Sequence, residues 1–328
     1  MKVIVTGGLG VIGSRFVDEC EPETEAIVID NGTARRHKWV AARLAGRPHT
    51  KLLRSDVRAL DWETLLSGSA APDLILHAAA HTGIPHSVDH PEEDWADNVE
   101  ATRCILEAMR RNVTTNVVLV ALSSVKPYRV PPDGVLDEET PLEPDEPYAA
   151  SKMAQSGLVM AYARSYGLNA TVLRCSNLYG DAPCHGPRHG WLTWMCIAAA
   201  IGQSFRLEGD GQQSRDMLFC EDVATAVFAA ADRIDVTAGN VYNIGGGSAN
   251  VVSLLEASRF ISKHLSGPMR LNRAPARQMD DRKVLVDFTK FRRAVGWEPA
   301  VGIERGINRV MAWALKNADD LRGLYGEA

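Results

Sequence analysis

Short runs of aliphatic and β-branched residues recur along the first half of the chain, separated by segments of helix length. They are "KVIVTG" (2–7), "EAIVID" (25–30), "KLLRSD" (51–56), "DLILHAAA" (73–80), "NVVLVALSS" (116–124) and "NATVLRCSNLYG" (169–180). Helical patterns lie between them, over 97–112 and 148–166 for example. Continuous apolar strands alternating with helices predict an α/β fold, a doubly wound parallel sheet covered on both faces. After about residue 181 the regularity weakens. "CHGPRHG" (184–190) reads as a loop, and "GGGSANVVSLLEASRFISKH" (245–264) as a loop feeding a helix. The expected organisation is a sheet domain over 1–180 and a smaller substrate-binding lobe over 181–328. Some segments of the lobe return to the first domain, and ligand is expected in the cleft between them. No internal repeat or low-complexity linker is present.

The first strand runs into "VTGGLGVIGS", where Gly7, Gly10 and Gly13 keep a G-x-x-G-x-x-G spacing. Glycines permit the tight turn, a close backbone approach to a pyrophosphate, and close helix–strand packing. The helix that opens at Val11 and Ile12 offers free N–H groups to phosphates. The second strand ends in Asp30-Asn31, an acid placed to accept hydrogen bonds from an adenosine ribose. The sheet is therefore of Rossmann type, and the acid favours NAD over NADP. Arg35 and Arg36 are open to two readings, a grip on a 2′-phosphate or a solvated basic loop. Asp56-Val57 is expected against the adenine, with a helix cap as the alternative for Asp56.

Composition narrows the class. The 328 residues are 45% hydrophobic and 23% charged, with a net charge of −5. This is the balance of a soluble globular protein, with no basic stripe for nucleic acid. No apolar run is long enough to cross a bilayer, and the N-terminus shows no signal peptide. The six cysteines are scattered, with no C-x-x-C pair. Reduced thiols in a cytoplasmic protein are expected, and no metal site.

The chemistry is expected at "VALSSVKPYR" (120–129) and "PYAASK" (147–152). Tyr148 and Lys152 are four residues apart on one helical face. A lysine ammonium beside a phenol favours the phenolate and lowers the tyrosine pKa. Ser124, at the carboxyl end of a central strand, is placed to polarise the same substrate oxygen. Ligands in open α/β sheets bind at such strand ends.

With these residues the chain resembles the extended short-chain dehydrogenase/reductases, specifically the nucleotide-sugar epimerases and dehydratases, from residue 1 to about 315. The resemblance implies tightly held NAD that takes and returns a hydride, with Ser124, Tyr148 and Lys152 acting on a sugar hydroxyl. It further implies cofactor contacts at Ala78, Ala79, Ala80 and Asn98, and a homodimer built through the helices 97–112 and 148–166. Ser124 lies four residues before Tyr128, as in the family's V-Y-G motif, although Pro127 and Arg129 replace Val and Gly here. Dehydratases carry Asp-Glu after the catalytic hydroxyl, where this chain has Val125 and Lys126. A lysine there is similar to the CDP-paratose (tyvelose) 2-epimerase branch, whose motif reads T-N-K-V-Y-G. "HGWLTWMC" (189–196), "GNVYNIGGG" (239–247) and "DDRKVLVD" (280–287) are also similar to that branch.

From this match, substrate contacts are expected at His81, Asn177, Gly190, Trp191, Arg215 and Arg282 as well as Ser124 and Lys126, with Lys126 facing the sugar as a further catalytic candidate. Trp194 and Cys196 match the same segment as Gly190 and Trp191. Arg215 and Arg282 would grip a diphosphate. The alternatives are surface ion pairs for the arginines, core packing for Trp191 and Trp194, and a solvated turn for Lys126. His81, His86 and His90 are either packed or solvated residues or proton carriers. The expected activity is epimerisation of a nucleotide-linked hexose, at C2 rather than C4. Loss of a carboxyl group after oxidation and an inactive nucleotide sensor of the same fold are the other readings.

Overall fold

In the computed structural model the described residues are 1–326 without 34–36, 69–70, 113–115, 185, 187–189 and 277–280. Five strands open the main sheet: β1 (Lys2–Thr6), β2 (Glu25–Asp30), β3 (Thr50–Arg54), β4 (Leu74–His77) and β5 (Val118–Ser124). With Ala170–Cys175 and Val241–Ile244 they form a seven-stranded sheet. Its order is Val241–Ile244, Ala170–Cys175, β5, β4, β1, β2, β3, and every pairing is parallel.

Side chains of period two divide this sheet between two cores. Val3, Val5, Leu74, Leu76, Val120 and Leu122 pack on one face. Ile4, Ile75, Leu119 and Ala121 pack on the other, against Ile105, Leu106 and Val159. The helix carrying Val159 spans Pro147–Tyr166; proline sits in its first turn and Gly167 ends it at φ 66°, an ordinary start and stop for a helix.

The run 169–180 reads as one strand but forms two. Cys175 is the last residue with partners in the main sheet, Ser124 on one side and Ile244 on the other. The chain then bends, and Asn177–Tyr179 pairs with Met217–Phe219. That second sheet also contains Ser214–Phe219, Val251–Ser253, Lys283–Val286 and Val135–Leu136. Asp216 ties the two sheets together. Its carboxylate accepts the N–H of Gly246 at 2.7 Å and of Val286 at 3.1 Å. The segment 245–264 holds a strand, Val251–Ser253, before its helix Leu254–Ser262. Among the described residues no helix is long and apolar enough to cross a membrane.

Candidate active site

The glycine loop is closed by β4. Gly7 has φ +67°, and a Cβ there would lie 2.6 Å from the Ala79 nitrogen and 2.7 Å from the Ala78 carbonyl oxygen. At Gly13 a Cβ would lie 2.5 Å from the Gly7 oxygen. So Ala78 and Ala79 pack against Gly7 because it has no side chain. Ala80, next along, is half-buried. Helix α1 (Val11–Glu19) begins from Gly10 with no side-chain cap, which leaves its first N–H groups for an anion.

Asp30 is buried, and it accepts N–H bonds from Leu9 at 3.1 Å and Gly32 at 2.8 Å. The His37 ring lies 3.0 Å from it. Burial opposes its charge, but the His37 contact and the two N–H bonds outweigh burial and hold its pKa below the usual carboxylate value. An uncapped helix start beside an ionised acid at the end of β2 fits a dinucleotide. Asn31 is exposed and accepts bonds from Thr33. Asp56 caps the turn Val57–Ala59 and pairs with Arg58, and Val57 is buried. The helix-cap alternative for Asp56 thus matches its contacts. Arg35 and Arg36 lie outside the described residues.

The end of β5 explains its two serines. Alternate residues face opposite sides. Ser123 turns to the helix Pro147–Tyr166, where its hydroxyl donates to the Lys152 carbonyl at 3.2 Å and accepts from Ser156 at 2.9 Å. Ser124 is half-buried and acts on the Tyr148 phenol, lowering its pKa. The Lys126 amide donates to the Ser124 hydroxyl at 3.1 Å, so the turn that carries Lys126 also orients Ser124. The Lys126 side chain is exposed. Tyr148 and Lys152 are both buried. The Lys152 ammonium donates to the Leu122 carbonyl at 2.9 Å.

One expectation needs correction. Lys152 does not lower the Tyr148 pKa within the chain itself. Burial raises the phenol well above its usual value, and the carboxyls of Asp94 and Glu146 add to this against the effect of Ser124. Burial also lowers Lys152 to about 8. The ammonium is spent on a backbone carbonyl, and both charged forms have lost their water.

Asn98 is fully buried. It accepts the His81 N–H at 2.9 Å and donates to the His81 carbonyl at 3.2 Å and the Ser151 hydroxyl at 2.9 Å. It therefore fastens the segment after β4 to the helix of Tyr148. The His81 ring lies 3.5 Å from buried Asp94, and the His81, His86 and His90 rings are neighbours with centroids 4.1 and 4.5 Å apart.

Other expected substrate residues sit apart from this group in their contacts. Asn177 pairs with Met217 in the second sheet. Gly190, at φ 65°, starts the helix Trp191–Ala200. Trp194 and Cys196 are buried in a core separate from the two that flank the main sheet, with Trp191 packed against it. Arg215 donates to the Ser214 and Asp281 carbonyls at 2.9 and 2.7 Å. Arg282 pairs with Asp210 at 2.8 Å and is exposed.

Three positions escaped the sequence reading. Asp94 accepts the Ser151 hydroxyl at 2.5 Å and the Asn98 amide at 3.3 Å; its i, i+4 spacing to Asn98 was an available signal. His77 bridges Thr6 at 2.7 Å and Thr102 at 2.9 Å, and burial with Lys152 nearby lowers it to about 3. Glu146 precedes Tyr148 by two residues, a spacing that carries no helical signal.

Residues 3–245 match the NAD-dependent epimerase/dehydratase family. A CDP-paratose 2-epimerase of Salmonella typhi is 30% identical over 95% of this chain and 99% of its own length. A UDP-N-acetylglucosamine 4-epimerase of Methanobrevibacter ruminantium, solved with UDP-N-acetylmuramic acid, is 25% identical. It superposes with TM-score 0.86 over 96% of this chain and 98% of that one. MoeE5, solved with UDP-glucuronic acid and NAD, is 25% identical and gives 0.84 over 97% and 100%. The chain belongs to the NAD-dependent epimerase/dehydratase family of extended short-chain dehydrogenase/reductases, as an NAD-dependent nucleotide-sugar enzyme.

Proposed function

We propose that this enzyme epimerises a nucleotide-linked hexose at C2. The observation that carries the reading is the β5 end: Ser124 acting on Tyr148, with Lys126 rather than a carboxylate in the turn that orients it. A dehydratase carries a carboxylic acid and a carboxylate after the hydroxyl, and Val125 and Lys126 supply no carboxyl group. The 30% identity to a protein named for 2-epimerisation supports C2. The likeness to a 4-epimerase supports C4 as the second reading.

NAD, when bound, supplies a hydride acceptor and a positive charge. Tyr148 takes the proton of the sugar hydroxyl, and Ser124 holds the same oxygen by hydrogen bond. Lys152 keeps a positive charge behind the phenol and fixes its helix against β5. The keto-sugar then presents its other face before Tyr148 returns the proton. Asp30 receives the adenosine ribose, and the N–H groups at the start of α1 receive the diphosphate. In the lobe, Arg215, Arg282 and Trp191 hold the nucleotide of the substrate. The enzyme works in the cytoplasm as a homodimer, with the exposed faces of Ala101–Arg111 and Pro147–Tyr166 in contact; Tyr166 is 49% exposed there.

An NMR screen of CDP-, UDP-, GDP- and dTDP-sugars for a new stereoisomer identifies the substrate. Deuterium at C2 of that substrate should give a primary isotope effect and remain in the product. An isotope effect confined to C4 moves the reaction to that carbon. Loss of C2 deuterium to solvent replaces hydride transfer by proton abstraction.

A further inference from the structure

Glu146 occupies the N-cap position of the helix that carries Tyr148 and Lys152, yet its carboxyl bonds none of the first-turn N–H groups. One carboxyl oxygen, Oε1, is buried with no hydrogen-bond partner. The charged groups that act on it come from three elements: Lys126 from the turn after β5, Asp145 from its own segment, and Asp94 from the helix Pro91–Trp95. Glu146 in turn acts on Tyr148. The neighbouring helix Ile84–Asp89 brings Ser87, which accepts the Tyr148 N–H at 3.3 Å, and His86, which pairs toward Glu93. The carboxyl therefore sits among the groups of the proposed site without being used by them.

We infer that Glu146 is a substrate-positioning residue whose protonated carboxyl donates a hydrogen bond to a sugar oxygen next to the carbon served by Ser124 and Tyr148. This rests on the nucleotide-sugar reading above. A buried carboxyl oxygen without a partner is costly unless a ligand satisfies it. Burial raises the pKa of Glu146 to about 7, against the pull of Lys126. At neutral pH a large share of it carries the proton that a donor needs. Lys126 acts on it from the turn after β5, so the pair offers both a neutral donor and a cation to the same sugar.

The test uses the NAD-loaded, full-length enzyme. Glu146→Gln keeps a donor but cannot ionise. Wild-type kcat/KM should fall as pH rises through about 7, and the Gln variant should lack that fall. Glu146→Ala should lose about tenfold in kcat/KM, mainly through KM, as expected for one lost hydrogen bond. Identical pH profiles for wild type and Gln variant, or full kcat/KM in the Ala variant, would overturn the inference. A second readout needs no turnover. In protein labelled with carboxyl-13C glutamate, the resonance missing from Glu146→Gln should titrate near 7 and shift on adding UDP-glucose as probe. A resonance that titrates at the ordinary value of about 4.3 overturns the assignment. If no nucleotide sugar is isomerised, the reaction proposed above fails, while this resonance still decides the role of Glu146.

Discussion

The two halves of the proposed site use their polar residues differently. Around β5 and the helix Pro147–Tyr166, polar side chains bond to one another. Asp94, Asn98, Ser151 and the backbone of His81 are joined to Thr6, His77 and Thr102 through the Thr102 hydroxyl, which donates to the Asn98 carbonyl at 2.7 Å. In the carboxyl-terminal lobe, Arg215 bonds to backbone carbonyls and Arg282 to an exposed aspartate. The first arrangement is buried and holds its groups still before any ligand arrives. The second carries its cations on long side chains bonded to backbone carbonyls and to a surface carboxylate. On the proposed function, the chemistry is preorganised, while the grip on the substrate's nucleotide is assembled on binding.

The sharpest break of this comparison is Tyr148→Phe. Product formation followed by NMR should fall by about a hundredfold or more, the scale of a lost general acid–base. The thermal midpoint should stay nearly unchanged, because the ring remains packed. Full activity would remove Tyr148 from the mechanism.

The next test concerns the buried network. His77 titrates at about 3 in the folded chain, below its unfolded value of about 6.5. Between these values the unfolded chain binds the proton and the folded chain does not. The stability that neutral His77 contributes is therefore complete above about pH 6.5 and shrinks as pH falls toward 3. In urea titrations, the advantage of wild type over His77→Gln should shrink by up to about 1.4 kcal/mol per pH unit across that window. Glu146 and Asp216, both raised to about 7, act with the opposite sign, but they are common to both proteins and cancel in the difference. A difference independent of pH would show that His77 takes up its proton without unfolding.

The smallest effect on stability belongs to the lobe. Arg282→Ala should cost less than about 1 kcal/mol of stability, because its ion pair with Asp210 is exposed. If Arg282 is recruited by a diphosphate, KM should nevertheless rise by about tenfold or more, the scale of a charge-assisted bond. An unchanged KM would leave Arg282 as a surface pair and place the grip elsewhere.

The glycine loop, Asp30, Ser124, Tyr148 and Lys152 were legible because each lies at a fixed place in a repeating strand–helix unit. Local spacing was enough to single them out as candidates. The second sheet was not legible in this way. Its strands come from Val135–Leu136, Asn177–Tyr179, Ser214–Phe219, Val251–Ser253 and Lys283–Val286, and nothing local says that such distant segments pair. The bend after Cys175 is a case in point: the run 169–180 stays apolar, but both neighbours of Cys175 end there.

The sequence by itself determined the parallel sheet, the glycine turn between β1 and α1, and the identity of the groups at the end of β5. These follow from periodicity and from the conformational freedom of glycine, which act over a few residues. Tertiary structure alone decided the charge states and the partners. Tyr148 is raised rather than lowered because burial, helped by Asp94, Cys175 and Glu146, outweighs the lowering effect of Ser124. Asp94 and Glu146 acquire their meaning only when the segment after β4, the turn after β5 and the helix Pro147–Tyr166 meet. Electrostatic energy depends on distance and on loss of water, and neither is written in the order of residues along the chain.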